Sequence, residues 1–130
     1  MALALKYSPD KCRFMAMAGI KKIAYNQIVH AVFKFSDKDF AIIAGTSART
    51  LSRLKANQKI PQQAAEVTIS LMRALDKATE IFGSEEAAIS WLKSPNKVLG
   101  GITPVQALSS RFGAEEVMDM LGRVEWGIYS

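Results

Sequence analysis

The chain has 130 residues, 49% of them hydrophobic and 22% charged, with one cysteine, one histidine and a net charge of +5 at neutral pH. This balance excludes a disordered chain and gives room for one ordinary domain or two small helical ones. The lone Cys12 excludes an internal disulfide and a cysteine metal cluster, the lone His30 gives little support to a metal site or a serine triad, and no apolar run reaches the length of a membrane span.

Charge is unevenly placed. Residues 1–60 carry eleven Lys/Arg against three Asp, a net +8, while residues 61–130 carry six against nine acidic residues, a net −3. A basic half suits a polyanion, whose condensed counterions are released on binding, and an acidic half repels one. The opening Met1-Ala2-Leu3-Ala4-Leu5-Lys6 is too short for a secretory signal, so the expected location is the cytoplasm.

In chain order, Ser8-Pro9-Asp10 reads as a turn and helix start, and Phe14, Met15 and Met17 as an apolar patch before Gly19. From Ile20 to about Phe33, the residues Ile20, Ile23, Ala24, Ile28, Ala31 and Val32 follow the spacing of an amphipathic helix, with Lys21, Lys22, Asn26 and Gln27 on its wet side. His30 is expected there as a surface or half-buried structural histidine.

A sharper pattern begins at Ser36. Ser36-Asp37-Lys38-Asp39 caps and charges a helix N-terminus, Phe40, Ala41, Ile43 and Ala44 form the buried stripe, and Gly45 ends the helix. Thr46 is expected to cap a second helix that runs to Lys55 and is anchored by Leu51 and Leu54. A small residue where the helices cross, Ala41, and a glycine four positions on make a helix-turn-helix pattern. Ser47, Arg49, Thr50, Arg53 and Lys55 are left to project outwards or along the rim, and these residue types reach phosphates and base edges. An αα-corner with a solvated basic face would look similar, but the charge of this half favours DNA.

Pro61 opens a long helix to about Phe82, with Ala64, Val67, Thr68, Leu71, Ala74, Leu75, Ala78 and Phe82 on its apolar side and Gly83 as its stop. It is expected to span both halves as the spine of one core. Ser84-Glu85-Glu86-Ala87 caps the next helix, which carries Ala88, Ile89, Trp91 and Leu92 into the stretch Trp91–Pro104. There Pro95 stops one helix and Thr103-Pro104 starts another as N-cap and first helical residue. Between them the pair Gly100-Gly101 allows positive φ, and Trp91, Leu92, Val98, Leu99 and Ile102 are expected to fold over one another as a compact turn.

Val105, Ala107, Leu108 and Phe112 then make a short amphipathic helix ended by Gly113. Glu115 and Glu116 are placed in the first turn of the last helix, whose buried face is Val117, Met118, Leu121 and Val124. The tail Glu125-Trp126-Gly127-Ile128-Tyr129-Ser130 is too apolar to stay in water and either folds back or meets a partner. Every apolar stretch has helical spacing, so the fold class is all-α: a helix-turn-helix half, residues 1–60, continuous with a small helical half, residues 61–130. The residue inventory speaks against an enzyme, since it lacks paired ligands and a phosphate loop, and its carboxylates lie mostly at helix starts.

The residues Ala87-Ala88-Ile89-Ser90-Trp91-Leu92, then Pro95-Asn96, Leu99-Gly100-Gly101 and Thr103-Pro104, then Gly113, Val117 and Leu121, closely resemble the toxin-binding domain of Xre/MbcA/ParS-type antitoxins. The resemblance spans roughly residues 70–130 and, more loosely, the helix-turn-helix before them. It implies a bacterial type II antitoxin with a RES-domain, NAD-degrading toxin as partner, operator DNA as a second partner, no cofactor, and a homodimer within a larger toxin–antitoxin complex. It places toxin contact on Trp91, Leu92, Pro95, Asn96, Leu99, Gly100, Gly101, Thr103 and Pro104 and on the tail residues Trp126, Ile128 and Tyr129. Where the family often has a further basic residue in the second helix of the pair, this chain has Leu54. The alternative is a helix-turn-helix transcriptional repressor without a toxin partner, which leaves Trp91–Pro104 and the apolar tail without a role.

Overall fold

The computed structural model describes residues 9–125, without the side chains of residues 9–11 and of Phe14. In chain order the elements are α1 (Pro9–Ala18), α2 (Lys22–Tyr25) continued by a π-helical stretch (Asn26–Val32), α3 (Asp37–Ala44), α4 (Ala48–Arg53), α5 (Gln62–Phe82), α6 (Glu85–Leu92), a 3-10 turn (Lys97–Leu99), α7 (Pro104–Ala107) and α8 (Arg111–Glu125). Among the described residues there is no strand, only an isolated antiparallel bridge between Lys21 and Lys59. The fold is all-α, as the apolar spacing predicts.

The longest element follows directly from its sequence. In α5, Ala64, Val67, Thr68, Leu71, Ala74, Leu75 and Ala78 are buried on the expected face, joined by Ala65, Ile69 and Met72 on its flanks. The one hydroxyl on that face is satisfied, because Thr68 Oγ1 donates to the Ala64 carbonyl at 2.8 Å. The helix stops at Gly83, which takes φ 87° and donates its N–H to the Thr79 carbonyl at 2.9 Å.

Two compact units, rather than one core around a spine, divide inside this helix between Ile69 and Ser70. The first unit buries Ile20, Tyr25, Ile28, Val29, Phe33, Phe40, Ala44, Leu51 and Ile60 together with the start of α5. The second buries Leu92, Val105, Leu108, Val117, Met120 and Leu121 together with its later residues. Each large aliphatic side chain so buried contributes roughly 1.5–3 kcal/mol.

The segment after Ile20 departs from the expected amphipathic helix. Ile23 is 54% exposed and Ala31 is also exposed, whereas Lys22, Tyr25, Val29 and Phe33 are buried. Past Tyr25 the cause is winding: Phe33 N donates to the Ile28 carbonyl five residues back, at 3.1 Å, so the turn is wider than 3.6 residues and the stripe drifts off that period, leaving Ala31 exposed and Phe33 buried. Lys22 precedes the wide turns, and its burial has a separate cause, described below.

Candidate functional site

In the second unit, Ser84 caps α6 by accepting from the Ala87 N–H at 3.1 Å. Leu92 at its end is fully buried, and the half-buried Trp91 ring lies against Phe82 with centroids 5.6 Å apart. The chain then turns around Asn96. The Asn96 N–H donates to the Ile102 carbonyl at 2.9 Å, the Asn96 carbonyl accepts from Leu99 N at 3.1 Å and Gly101 N at 2.9 Å, and its side-chain oxygen accepts from Val98 N at 2.9 Å. Gly100 and Gly101 take φ 75° and 94°, which residues with a Cβ rarely adopt. Thr103 closes the loop with a capping box: its Oγ1 accepts from Gln106 N at 3.1 Å, and Gln106 Oε1 accepts from Thr103 N at 2.9 Å, with Pro104 as the first helical residue.

This loop is held by polar contacts, and that corrects the expectation of an apolar turn folded on itself. Val98 is 60% and Ile102 44% exposed, Leu99 and Trp91 are half-buried, and only Leu92 is fully covered. Along the rest of the loop, Pro95, Gly100 and Gly101 are exposed, Asn96 and Thr103 are half-buried, and Pro104 is buried.

The next boundary also differs from expectation. Helix α7 covers only Pro104–Ala107, and α8 starts at Arg111, so Gly113 lies inside α8 and does not end a helix. Ser110 Oγ accepts from Gly113 N at 3.0 Å, a cap signal that fixes this start. A Cβ on Gly113 would stand 2.0 Å from the Ala107 carbonyl oxygen, so glycine is needed for the two helices to meet. The shifted start turns Phe112 outwards, 73% exposed, and moves Glu115 and Glu116 out of the first turn. Val117 and Leu121 are buried as expected, Met120 is buried in addition, and Met118 and Val124 are half-buried. At the far end, Lys77 Nζ pairs with Glu125 Oε1 at 2.6 Å, fastening α8 to α5. Trp126, Ile128 and Tyr129 lie outside the described residues.

In the first unit, Ser36 caps α3 by accepting from Asp39 N at 3.0 Å, and Phe40, Ala41 and Ala44 are buried. Gly45, at φ 69°, and Thr46 both donate to the Ala41 carbonyl, at 2.9 and 3.1 Å, and turn the chain sharply into α4. The cap of α4 is Ser47, which accepts from Thr50 N at 3.3 Å, and not Thr46. Leu51 is fully buried, while Leu54 lies beyond the last turn in extended geometry. Ser47, Arg49, Thr50 and Arg53 are exposed on and beside this helix, and Lys55 is exposed in the turn after it.

Sequence reasoning missed what holds α4. Lys22, read as a wet residue, is buried, and its Nζ donates to the carbonyls of Leu51 at 2.5 Å and Leu54 at 3.2 Å. It therefore supplies donors to the orphan carbonyls at the end of a helix only six residues long.

The other titratable cluster lies at the entry to α3. Asp37 Oδ1 accepts from Tyr25 OH at 2.7 Å and lies 2.8 Å from His30 Nε2, while His30 Nδ1 lies 2.6 Å from the Phe35 carbonyl. Burial first, then the hydrogen bond to Asp37 and its charge, hold the Tyr25 phenol well above the usual tyrosine range. These contacts bind the Lys34–Ser36 link, where Lys34 takes φ 62°, and give His30 the structural role expected of it. Among the described residues no group of three or more His, Cys, Asp or Glu could hold a metal ion, and no helix is long and apolar enough to cross a membrane.

Residues 77–127 match the family described as the antitoxin Xre/MbcA/ParS C-terminal toxin-binding domain. The chain is also 34% identical over 98 residues to Antitoxin Xre of Photorhabdus laumondii, covering 74% of this chain and 66% of that protein. It is 33% identical over 88 residues to Antitoxin Xre of Yersinia enterocolitica, covering 66% of this chain and 60% of that one. The chain thus spans less than two thirds of these relatives. Both matched stretches are longer than the second unit and so reach into the first. With its toxin-binding domain matched and its likeness carried into the unit that holds α3 and α4, the chain belongs to the Xre-type antitoxin family.

Proposed function

We propose that this protein is a binding protein, the antitoxin of a type II pair, which neutralises a RES-domain toxin that degrades NAD. The observation that carries the reading is the position of the matched domain: residues 77–127 include the Asn96-centred loop and the start of α8. That region turns three large apolar side chains, Val98, Ile102 and Phe112, to solvent. Their exposure is what a partner surface needs, since binding energy at an interface concentrates on a few apolar anchors. Leu92 and Pro104 are buried and would support the loop from beneath, while Pro95, Gly100 and Gly101 are open to direct contact.

The α3–α4 pair is assigned to operator DNA. Support comes from its sharp glycine turn, from Arg49, Thr50 and Arg53 exposed on α4 with Lys55 exposed in the turn after it, and from the basic charge of this part of the chain. A homodimer within a larger toxin–antitoxin complex would bring two such pairs to a two-fold operator. A repressor without a toxin partner accounts for α3 and α4 but not for the exposed apolar residues of the second unit.

The test is co-expression of the full chain with the RES-domain protein encoded beside it. The RES-domain protein made alone is expected to stop growth and deplete cellular NAD, both are expected to survive when this chain is made with it, and the two proteins are expected to co-purify. Replacing both Arg49 and Arg53 with alanine is expected to weaken operator binding and flatten its salt dependence, with neutralisation unchanged. Loss of NAD in the presence of the folded antitoxin, or no complex between the two, would remove the reading.

A further inference from the structure

We infer that Lys21 and Lys59 form a phosphate clamp for duplex DNA, separate from the helix-turn-helix pair; this rests on the operator-binding reading above. The two lysines oppose one another across the isolated antiparallel bridge. Around it, Ile60 N donates to the Ile20 carbonyl at 2.9 Å and Lys22 N to the Gln58 carbonyl at 2.7 Å. Those bonds belong to the residues flanking Lys21 and Lys59, so the lysines are the non-hydrogen-bonded pair. In that geometry opposite Cα atoms lie about 4.5 Å apart and the side chains rise on the same face.

Burial agrees with this alternation. Ile20 and Lys22 are buried on either side of Lys21, and Ile60 is buried after Lys59, whereas both bridge lysines are exposed; of the four flanking residues Gln58 alone is exposed. The Lys59 stem runs across Gly19, a residue with no side chain: its Cδ lies 3.0 Å from where a Cβ on that glycine would stand.

Two like charges directly opposite each other destabilise a bridge unless an anion answers them. Among the described residues neither lysine has a carboxylate within ion-pair distance. The ligand this arrangement fits is the backbone of the same duplex, for a reason of connectivity. The bridge is tied to the end of α4 twice over. The next residue after Lys21 is Lys22, whose Nζ bonds the Leu51 and Leu54 carbonyls, and Lys59 follows the Lys55–Gln58 turn, in which Gln58 N donates to the Lys55 carbonyl at 3.0 Å. The pair therefore has a fixed position relative to the helix that carries Arg49 and Arg53, and it would set the register of that helix on DNA without reading bases.

The experiment titrates the full-length protein against a duplex taken from directly upstream of its own gene, and against a scrambled duplex of equal length, across a salt series. In the Lys21→Gln/Lys59→Gln variant, affinity is expected to fall roughly tenfold or more. The log–log salt slope is expected to shrink by about 1.8, two phosphates at about 0.9 each. The preference for operator over scrambled duplex should stay within about twofold of wild type, because phosphate contacts carry no sequence information. The charge-keeping Lys21→Arg/Lys59→Arg variant should bind as wild type, and the glutamine variant should melt no lower than wild type.

The outcomes separate the two claims. If wild type ignores both duplexes, the operator reading and the clamp fall together. If wild type binds and Arg49→Ala/Arg53→Ala weakens it, but the glutamine variant keeps wild-type affinity and slope, the clamp alone is overturned. A fall in melting temperature that the arginine variant fails to restore would also overturn it, by making the pair structural.

Discussion

The ammonium of Lys22 donates to the Leu51 carbonyl at 2.5 Å, across 29 positions of sequence, and so closes the end of the helix that presents Arg49 and Arg53. Replacing it with methionine keeps the length of the side chain and removes both donors. Two carbonyls then lose their partner, and the expected loss is about 2 kcal/mol of unfolding free energy. Urea unfolding of Lys22→Met against wild type measures it, with Lys22→Arg expected to keep part of the difference. An unchanged urea midpoint would show that water serves those carbonyls equally well.

Residues whose neighbours in sequence are also their neighbours in space were legible. The stripe of α5, the caps at Ser36 and Ser84, and the Thr103-Pro104 start are local signals and stand where expected. What failed depended on winding or on distant partners. The π-helical turns of Asn26–Val32 broke the period on which the stripe from Ile20 was read, and nothing near Lys22 in sequence points to Leu51. For Phe112 a signal existed. Ser110 followed by Gly113 at N-cap spacing would have started α8 two residues before that glycine and turned the ring outwards, but Gly113 was taken as a stop.

Gly113 and Gly122 lie in one helix and give opposite expectations. At Gly113 a methyl group would collide with the Ala107 carbonyl oxygen, so Gly113→Ala must push α7 and α8 apart and is expected to lose roughly 3 kcal/mol, the upper range for overpacking. At Gly122 nothing lies within 4 Å of the same methyl. Gly122→Ala is therefore expected to gain about 0.5–1 kcal/mol from helix propensity alone. Thermal melting of the two variants checks both signs at once.

Tyr25 makes stability fall at alkaline pH. Its phenol is held well above the usual tyrosine range, by burial first and Asp37 second, so above about pH 10 the unfolded chain has lost a proton that the folded chain keeps. Stability from this group is complete below that pH and declines by up to about 1.4 kcal/mol per unit above it. Tyr25→Phe removes the effect along with the bond to Asp37. The gap between wild type and the variant, followed by urea unfolding from pH 8 to 11, should narrow above pH 10; a constant gap would mean that the phenol ionises in the folded protein as freely as in water.

The proposed neutralising face has its sharpest test in Phe112, Val98 and Ile102. All three are exposed, so truncation to alanine removes little packing and each variant should stay within about 0.5 kcal/mol of wild-type stability. If they anchor a toxin, the same truncation leaves a gap in a desolvated contact. Phe112→Ala is then expected to lose about 2 kcal/mol of binding, roughly thirtyfold in affinity, with Val98→Ala and Ile102→Ala losing less. Met17→Ala is the control, since Met17 is 87% exposed but belongs to the first unit. The readout is NAD consumed by the toxin at graded concentrations of each folded variant. Phe112→Ala should require far more protein than Met17→Ala for half-inhibition. Should the triple variant remain folded and inhibit as well as wild type, these side chains would have no part in the toxin contact, and neutralisation would have to come from the flatter part of the loop around Pro95, Gly100 and Gly101 or from beyond Glu125.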